Sequence, residues 1–89
     1  MSKKIEHSRL FKKHFKVRIL NNPKLSAKYF ERFELFLCNP DDPVLDDHGL
    51  TGTMIDKRAF SITGDYRVVY RMDGEDIILY DVGTHNQVY

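Results

Sequence analysis

The segment Gly83-Thr84-His85-Asn86-Gln87-Val88-Tyr89 is the part of this chain best supplied for chemistry. It follows the apolar run Ile77-Ile78-Leu79-Tyr80, which reads as a buried strand. A histidine, a carboxamide pair and an aromatic ring therefore stand where a sheet meets solvent. Histidine titrates nearest neutral pH, so in such a place it can both give and take a proton. One histidine alone is equally the mark of a polar tail with no chemistry.

Other residues converge on the same end of the predicted sheet. Arg67 and Arg71 share one face of a strand, Arg58 lies on its neighbour, Asp65 begins the Arg67 strand and His48 comes from a long loop. Together they supply acid/base groups and two or three guanidiniums, whose planar forks bind phosphate. Tyr89 offers a ring on which a nucleobase can stack. Plainer roles exist for each. Arg67 and Arg71 could pair with Glu75, Asp76 or Asp81 across strands, Asp65 could bond within its own turn, and His48 could be solvated. His7 and His14 are assigned no chemical role. Asp46, Asp47, His48 and His85 can be drawn around a metal, but their spacing matches no ligand motif, so no metal or other cofactor is expected.

The elements that must position these groups follow from periodicity. Residues 4–7 suit a short edge strand. From Ser8, an N-cap, the spacing of Phe11, Phe15 and Ile19 predicts a helix. Asn21-Asn22-Pro23 ends it and starts a second, with Asn22 as N-cap and Pro23 in the first turn. That helix carries Tyr29, Phe30, Phe33, Phe36 and Leu37 on one broad face, read as core, and stops at Asn39-Pro40. Cys38 is read as a small buried residue. Residues 39–56 form a long acidic connection without periodicity. Strands follow at 58–63, 66–72 and 76–82, joined at Gly64-Asp65 and at Asp73-Gly74, a hairpin signal. Along the middle strand Tyr66, Val68 and Tyr70 face one way and Arg67, Val69 and Arg71 the other. The fold is α+β: a short N-terminal strand and a helical hairpin packed on an antiparallel sheet with a C-terminal three-strand meander.

Eighty-nine residues, 42% hydrophobic and 30% charged, fit one globular domain spanning 1–89. No segment resembles a membrane span or signal peptide, and the single cysteine forms no internal disulfide; the cytoplasm is the expected compartment. The net charge of +1 conceals a division. Residues 1–38 hold ten basic against three acidic side chains, a balance of +7, whereas 39–89 hold four against ten, a balance of −6. A basic helical half can meet phosphate although the whole chain is nearly neutral.

Taken together, Asp46-Asp47-His48-Gly49-Leu50-Thr51-Gly52, Arg58-Ala59-Phe60-Ser61-Ile62, Gly64-Asp65-Tyr66-Arg67-Val68-Val69-Tyr70 and the Gly-Thr-His tail, in this order of elements, resemble the RelE/ParE toxin superfamily. The resemblance spans essentially the whole chain and is greatest to the YafQ branch of type II toxin–antitoxin systems. It implies a ribosome-dependent endoribonuclease that cuts mRNA by attack of the RNA's own 2′-hydroxyl, with no metal. By the same resemblance His85 is the general acid, Asp65 and His48 are further acid/base positions, and Arg67 is a catalytic arginine. Arg58, Tyr66 and Tyr89 fall to substrate binding, and Arg71, from its place on the strand face of Arg67, is assigned there with them. The implied partners are a cognate antitoxin and the 70S ribosome with its mRNA; the free protein is expected to be a monomer that forms a hetero-oligomer with its antitoxin. A non-enzymatic gyrase poison of the ParE kind, or a degenerate toxin that only binds its antitoxin, is the alternative. The chain departs from the branch at Ser61, where YafQ has a further histidine, and at Tyr66, where it has a tryptophan.

Overall fold

A computed structural model describes residues 4–89. Strand β1 (Ile5–His7) leads through the Ser8 cap into helix α1 (Arg9–His14), which continues as a wide π-type turn over Phe15–Ile19. Ser8 accepts the Phe11 amide at 3.0 Å, as its position predicts. Helix α2 (Pro23–Cys38) is capped by Asn22, whose side chain accepts the Leu25 amide at 3.2 Å. Strands β2 (His48–Gly49), β3 (Arg58–Ser61), β4 (Tyr66–Asp73) and β5 (Asp76–Thr84) follow, and the short helix α3 (His85–Val88) ends the fold.

The sheet runs in the order β1-β5-β4-β3-β2, with β1 parallel to β5 and every other pair antiparallel. It is thus a five-stranded mixed sheet. The expected meander is its centre, and the long connection supplies an additional edge strand. That connection is also more ordered than its lack of periodicity predicts: two 3₁₀ turns, at Pro43–Leu45 and Gly52–Met54, flank β2. Leu45, fully buried, ties it to the core. The β4–β5 turn is Gly74-Glu75, with Gly74 at φ 63°.

The helical hairpin covers one face. Phe11, Ile19, Leu25, Tyr29 and Phe36 meet Phe60, Ile62, Val68, Tyr70, Leu79 and Val82 there. Each such side chain withdrawn from water contributes about 1.5–3 kcal/mol before entropy is counted. Two expected core residues lie outside it. Phe30 is 56% exposed, since the stripe through Tyr29, Phe33 and Phe36 leaves it at the rim. Cys38 is exposed because it closes α2 where the chain departs.

A bulge shapes the other face. Val69 pairs with Asp81 but Tyr70 with Leu79, leaving Tyr80 as an extra residue. Beyond Leu79, where β1 has ended, α1 and its wide turn run along the open edge of β5 and satisfy its polar groups. The Ser8 hydroxyl donates to Tyr80 O at 2.6 Å, and Arg18 donates to Val82 O at 3.0 Å. Asp81, 5% exposed, accepts the Val82 amide at 2.8 Å and holds His14 Nδ1 at 2.6 Å. His14, given no role from sequence, is therefore a structural partner of the edge.

Candidate active site

The second face of the sheet is not bare. Ala59 and Val69 are buried there beneath Val88 of α3, with Leu50, Met54 and Tyr80 packed around them. Helix α3 thus folds back over the sheet and carries the tail residues with it. Its start is a capping box: Thr84 accepts from the Gln87 amide, and Gln87 Oε1 accepts the Thr84 amide at 2.8 Å. The Thr84-His85-Asn86-Gln87 spacing contains this signal, which a reading of the tail as a polar extension overlooked.

His85 and Tyr89 are one helical turn apart, so their rings meet. The centroids lie 4.5 Å apart with planes at 90°. The His85 amide donates to Asp65 O at 3.0 Å, tying the tail to the β3–β4 turn. Burial pushes the Tyr89 phenol above its usual pKa, while the Arg67 guanidinium beside it pulls the other way. Arg67 itself lies between Ser61 and Gly83 in the sheet. Its Nη1 donates to Thr63 O and Gly64 O, both at 3.1 Å, so the guanidinium is held by backbone and makes no ion pair among the described residues. The cross-strand pairing with acids that its position allowed does not occur.

His48 is placed by β2, opposite Ala59, and therefore on this same face. Its Nδ1 lies 2.8 Å from Asp46 O. A carbonyl only accepts, so Nδ1 must carry hydrogen, and in the neutral ring Nε2 is then a free base. Asp46 aims that carbonyl from a left-handed conformation, φ 48°. His48 and Tyr89 line one cleft of about 470 Å³ with the loop between 49 and 54. His85, His48 and Arg67 thus gather about Tyr89, and Asp65 joins them through its backbone carbonyl.

Arg58, Tyr66 and Arg71 do not join them. Arg58 pairs with Tyr70 and stands two residues before Phe60, so it shares their helix-facing side. There its Nε binds Asp47 Oδ1 at 3.1 Å, and Asp47 Oδ2 accepts the Tyr70 hydroxyl at 2.6 Å. The parity of the strand, not its adjacency, decides the face. Tyr66 packs against the main core for the same reason. Arg71 shares the face of Arg67 but lies four residues on, roughly 13 Å along the strand. It stands near Asp56, whose carboxyl is held low chiefly by Lys57 and weakly by Arg71. Among the described residues no three potential ligands cluster as a metal site.

Solved structures share this architecture. YafQ from E. coli strain BL21(DE3) superposes with a TM-score of 0.84 over 99% of each chain at 22% identity. YafQ in the E. coli DinJ–YafQ complex gives 0.82 over 99% of each chain at 22% identity. A metal-bound toxin from Helicobacter pylori gives 0.77 at 27% identity, over 99% of this chain and 100% of that one. A comparison with curated protein sequences gives no match. The fold is that of small bacterial toxins of this type. Residues 3–89 match the family described as "Bacterial toxin of type II toxin-antitoxin system, YafQ", and the chain belongs to that family.

Proposed function

We propose that this toxin is a ribosome-dependent endoribonuclease that cleaves mRNA by transesterification. One observation carries the reading: Tyr89 stands between two imidazoles, touching His85 with its ring and sharing a cleft with His48, whose Nε2 is left free as a base. In this scheme His48 takes the proton of a ribose 2′-hydroxyl. The oxygen attacks the adjacent phosphorus, and Arg67 stabilises the charge of the pentavalent phosphorane. His85 then gives its proton to the leaving 5′-oxygen, and the products are a 2′,3′-cyclic phosphate and a 5′-hydroxyl. Asp65, exposed beside His85, is a further proton-transfer group. The nucleophile belongs to the substrate and the charges are met by side chains, so the step as written calls on no metal.

The basic helices suit docking on ribosomal RNA in the cytoplasm, and the decoding site would bend the strand so that the 2′-oxygen lines up with its phosphate. The toxin would be held inactive by an antitoxin encoded beside it, as a DinJ–YafQ complex exists for the E. coli protein. Exposed Val17, Leu20 and Phe30 on the helical hairpin are suitable anchors for such a segment. No helix of the described residues is long and apolar enough to cross a membrane.

The test is brief induction in a bacterium with growth and transcript 5′-ends mapped, together with cleavage on purified 70S ribosomes. Growth arrest and new in-frame 5′-ends are expected, with free RNA cut poorly and ribosome binding falling steeply with salt. Inhibited gyrase supercoiling with intact transcripts would overturn the reading in favour of a topoisomerase poison.

A further inference from the structure

We propose that the cleft between residues 48–54 and Tyr89 is a slot for one unpaired nucleobase, and that Thr51 and Thr53 decide which base it accepts. The proposal rests on the ribonuclease reading for its substrate and goes beyond it by assigning specificity to two threonines that take no part in the chemistry.

The cleft, about 470 Å³, falls within the range of roughly 300–1,000 Å³ typical of small-molecule sites. Its composition selects among ligands. Leu50 and Met54 form an apolar floor against Ala59, Val69 and Val88. Tyr89, 43% exposed, supplies a flat ring at one side. Thr51 and Thr53, both exposed, supply hydroxyls that donate and accept. No lysine or arginine lines this cleft, so it is not built for phosphate; Arg67, by the Tyr89 phenol, lies just outside it. A flat apolar wall with a few polar groups and no lysine, arginine or acidic side chain is the complement of a heteroaromatic base.

The slot is also formed in advance. The Leu50 amide donates to Lys57 O at 3.0 Å, and the Lys57 amide to Met54 O at 2.9 Å. Between them Met54 N–H reaches Thr51 O at 3.3 Å and Ile55 N–H reaches Gly52 O at 3.2 Å, with Gly52 at φ 66°. The Thr51 side chain caps nothing, so its hydroxyl is available and its removal leaves the turn intact. His48 lines the slot and His85 touches Tyr89, so a base held there would lie beside the two groups assigned to the cut. Hydrogen-bond readout at such a place discriminates because a wrong base leaves a polar group unpaired.

Two measurements test this. Wild type, Thr51→Val and Thr53→Val are compared for the base found at each position around mapped cut sites on 70S ribosomes. Separately, the ¹⁵N-labelled protein is titrated with AMP, GMP, CMP and UMP while backbone amides are followed by NMR. We expect one position beside the cut to favour particular bases, and at least one valine variant to lose roughly tenfold of that preference. The four nucleotides should shift the amides of 51–54 and Tyr89 unequally. Cleavage with an unchanged base distribution in both variants would overturn the slot while leaving the ribonuclease reading in place. Unequal shifts in a protein that cuts no RNA would support the slot and count against the ribonuclease. Equal or absent shifts at 51–54 would overturn the slot.

Discussion

The His85 imidazole meets the Tyr89 ring edge to face, with 4.5 Å between centroids. Both are carried by one helical turn whose first amide is fixed on Asp65 O, so the position of the imidazole is set by backbone rather than by a flexible tail. His85→Ala removes the imidazole from an exposed position and should leave the fold intact. Cleavage on programmed ribosomes should fall by about 10²-fold or more, the scale of general acid catalysis. Wild-type rates in this variant would remove His85 from the mechanism.

Arg67 spends one nitrogen on backbone carbonyls of residues 63, 64 and 66, which leaves the rest of its fork for the Tyr89 phenol and an anion. Lysine keeps the charge but has one nitrogen for both tasks. Arg67→Lys should therefore lower cleavage by about 10²-fold with ribosome affinity little changed, as read by single-turnover rates beside a binding titration. Undiminished cleavage would show that the charge alone suffices.

Gly83 has no room for a side chain. A Cβ there would stand 2.7 Å from Arg18 Nη1, 2.7 Å from Gln87 Oε1 and 3.1 Å from Gln87 Cβ. Arg18 and Gln87 hold Val82 O and the Thr84 amide, so neither yields without losing a hydrogen bond. Gly83→Ala should cost about 1–3 kcal/mol and displace α3, lowering both the melting temperature and cleavage. Adding Gln87→Ala should recover part of the stability, since it removes the Oε1 contact, one of the two at 2.7 Å.

Much of this was legible in the sequence because local signals are strong. Ser8 and Asn22 cap where their types predict, and Phe11, Phe15 and Ile19 place the helical hairpin. The family resemblance carried the toxin assignment. What failed depends on register and on tertiary contacts. The face of Arg58 is fixed by its pairing with Tyr70, which no spacing within its own strand discloses. Tyr66 is carried into the core by the same parity. The bulge at Tyr80, which turns Asp81 toward His14, has no marker in the run Ile77 to Val82. Order in residues 39–56 comes from Leu45 and Asp47 reaching distant partners, so no periodicity announces it.

Burial raises the phenol pKa of Tyr29, and burial followed by the bond to Asp47 raises that of Tyr70. Above the ordinary value of 10.0 the unfolded chain loses these protons while the native protein keeps them. Their contribution is therefore complete below pH 10 and is lost as pH rises beyond it. Chemical denaturation between pH 8 and pH 11 (roughly spanning the tyrosine range) should show stability falling in the upper part. Tyr29→Phe keeps the ring packing and should flatten that fall; an unchanged slope would show that Tyr29 does not titrate differently in the two states.

Asp47 ties the His48 loop to the sheet through two different groups, the Arg58 guanidinium at 3.1 Å and the Tyr70 hydroxyl at 2.6 Å. The two are unequal. Arg58 is about half exposed, so its ion pair is screened and worth little. Tyr70 is buried and donates to a charged acceptor, a bond worth about 1.5–3 kcal/mol. Tyr70→Phe should therefore destabilise more than Arg58→Gln, in denaturation measured at neutral pH. Because both act through Asp47, the double variant should lose less than the two separate losses together. Both substitutions should also lower cleavage by loosening His48, without altering the salt dependence of ribosome binding. If instead Arg58→Gln flattens that salt dependence while Tyr70→Phe does not, Arg58 meets RNA phosphate directly and the anchoring role fails.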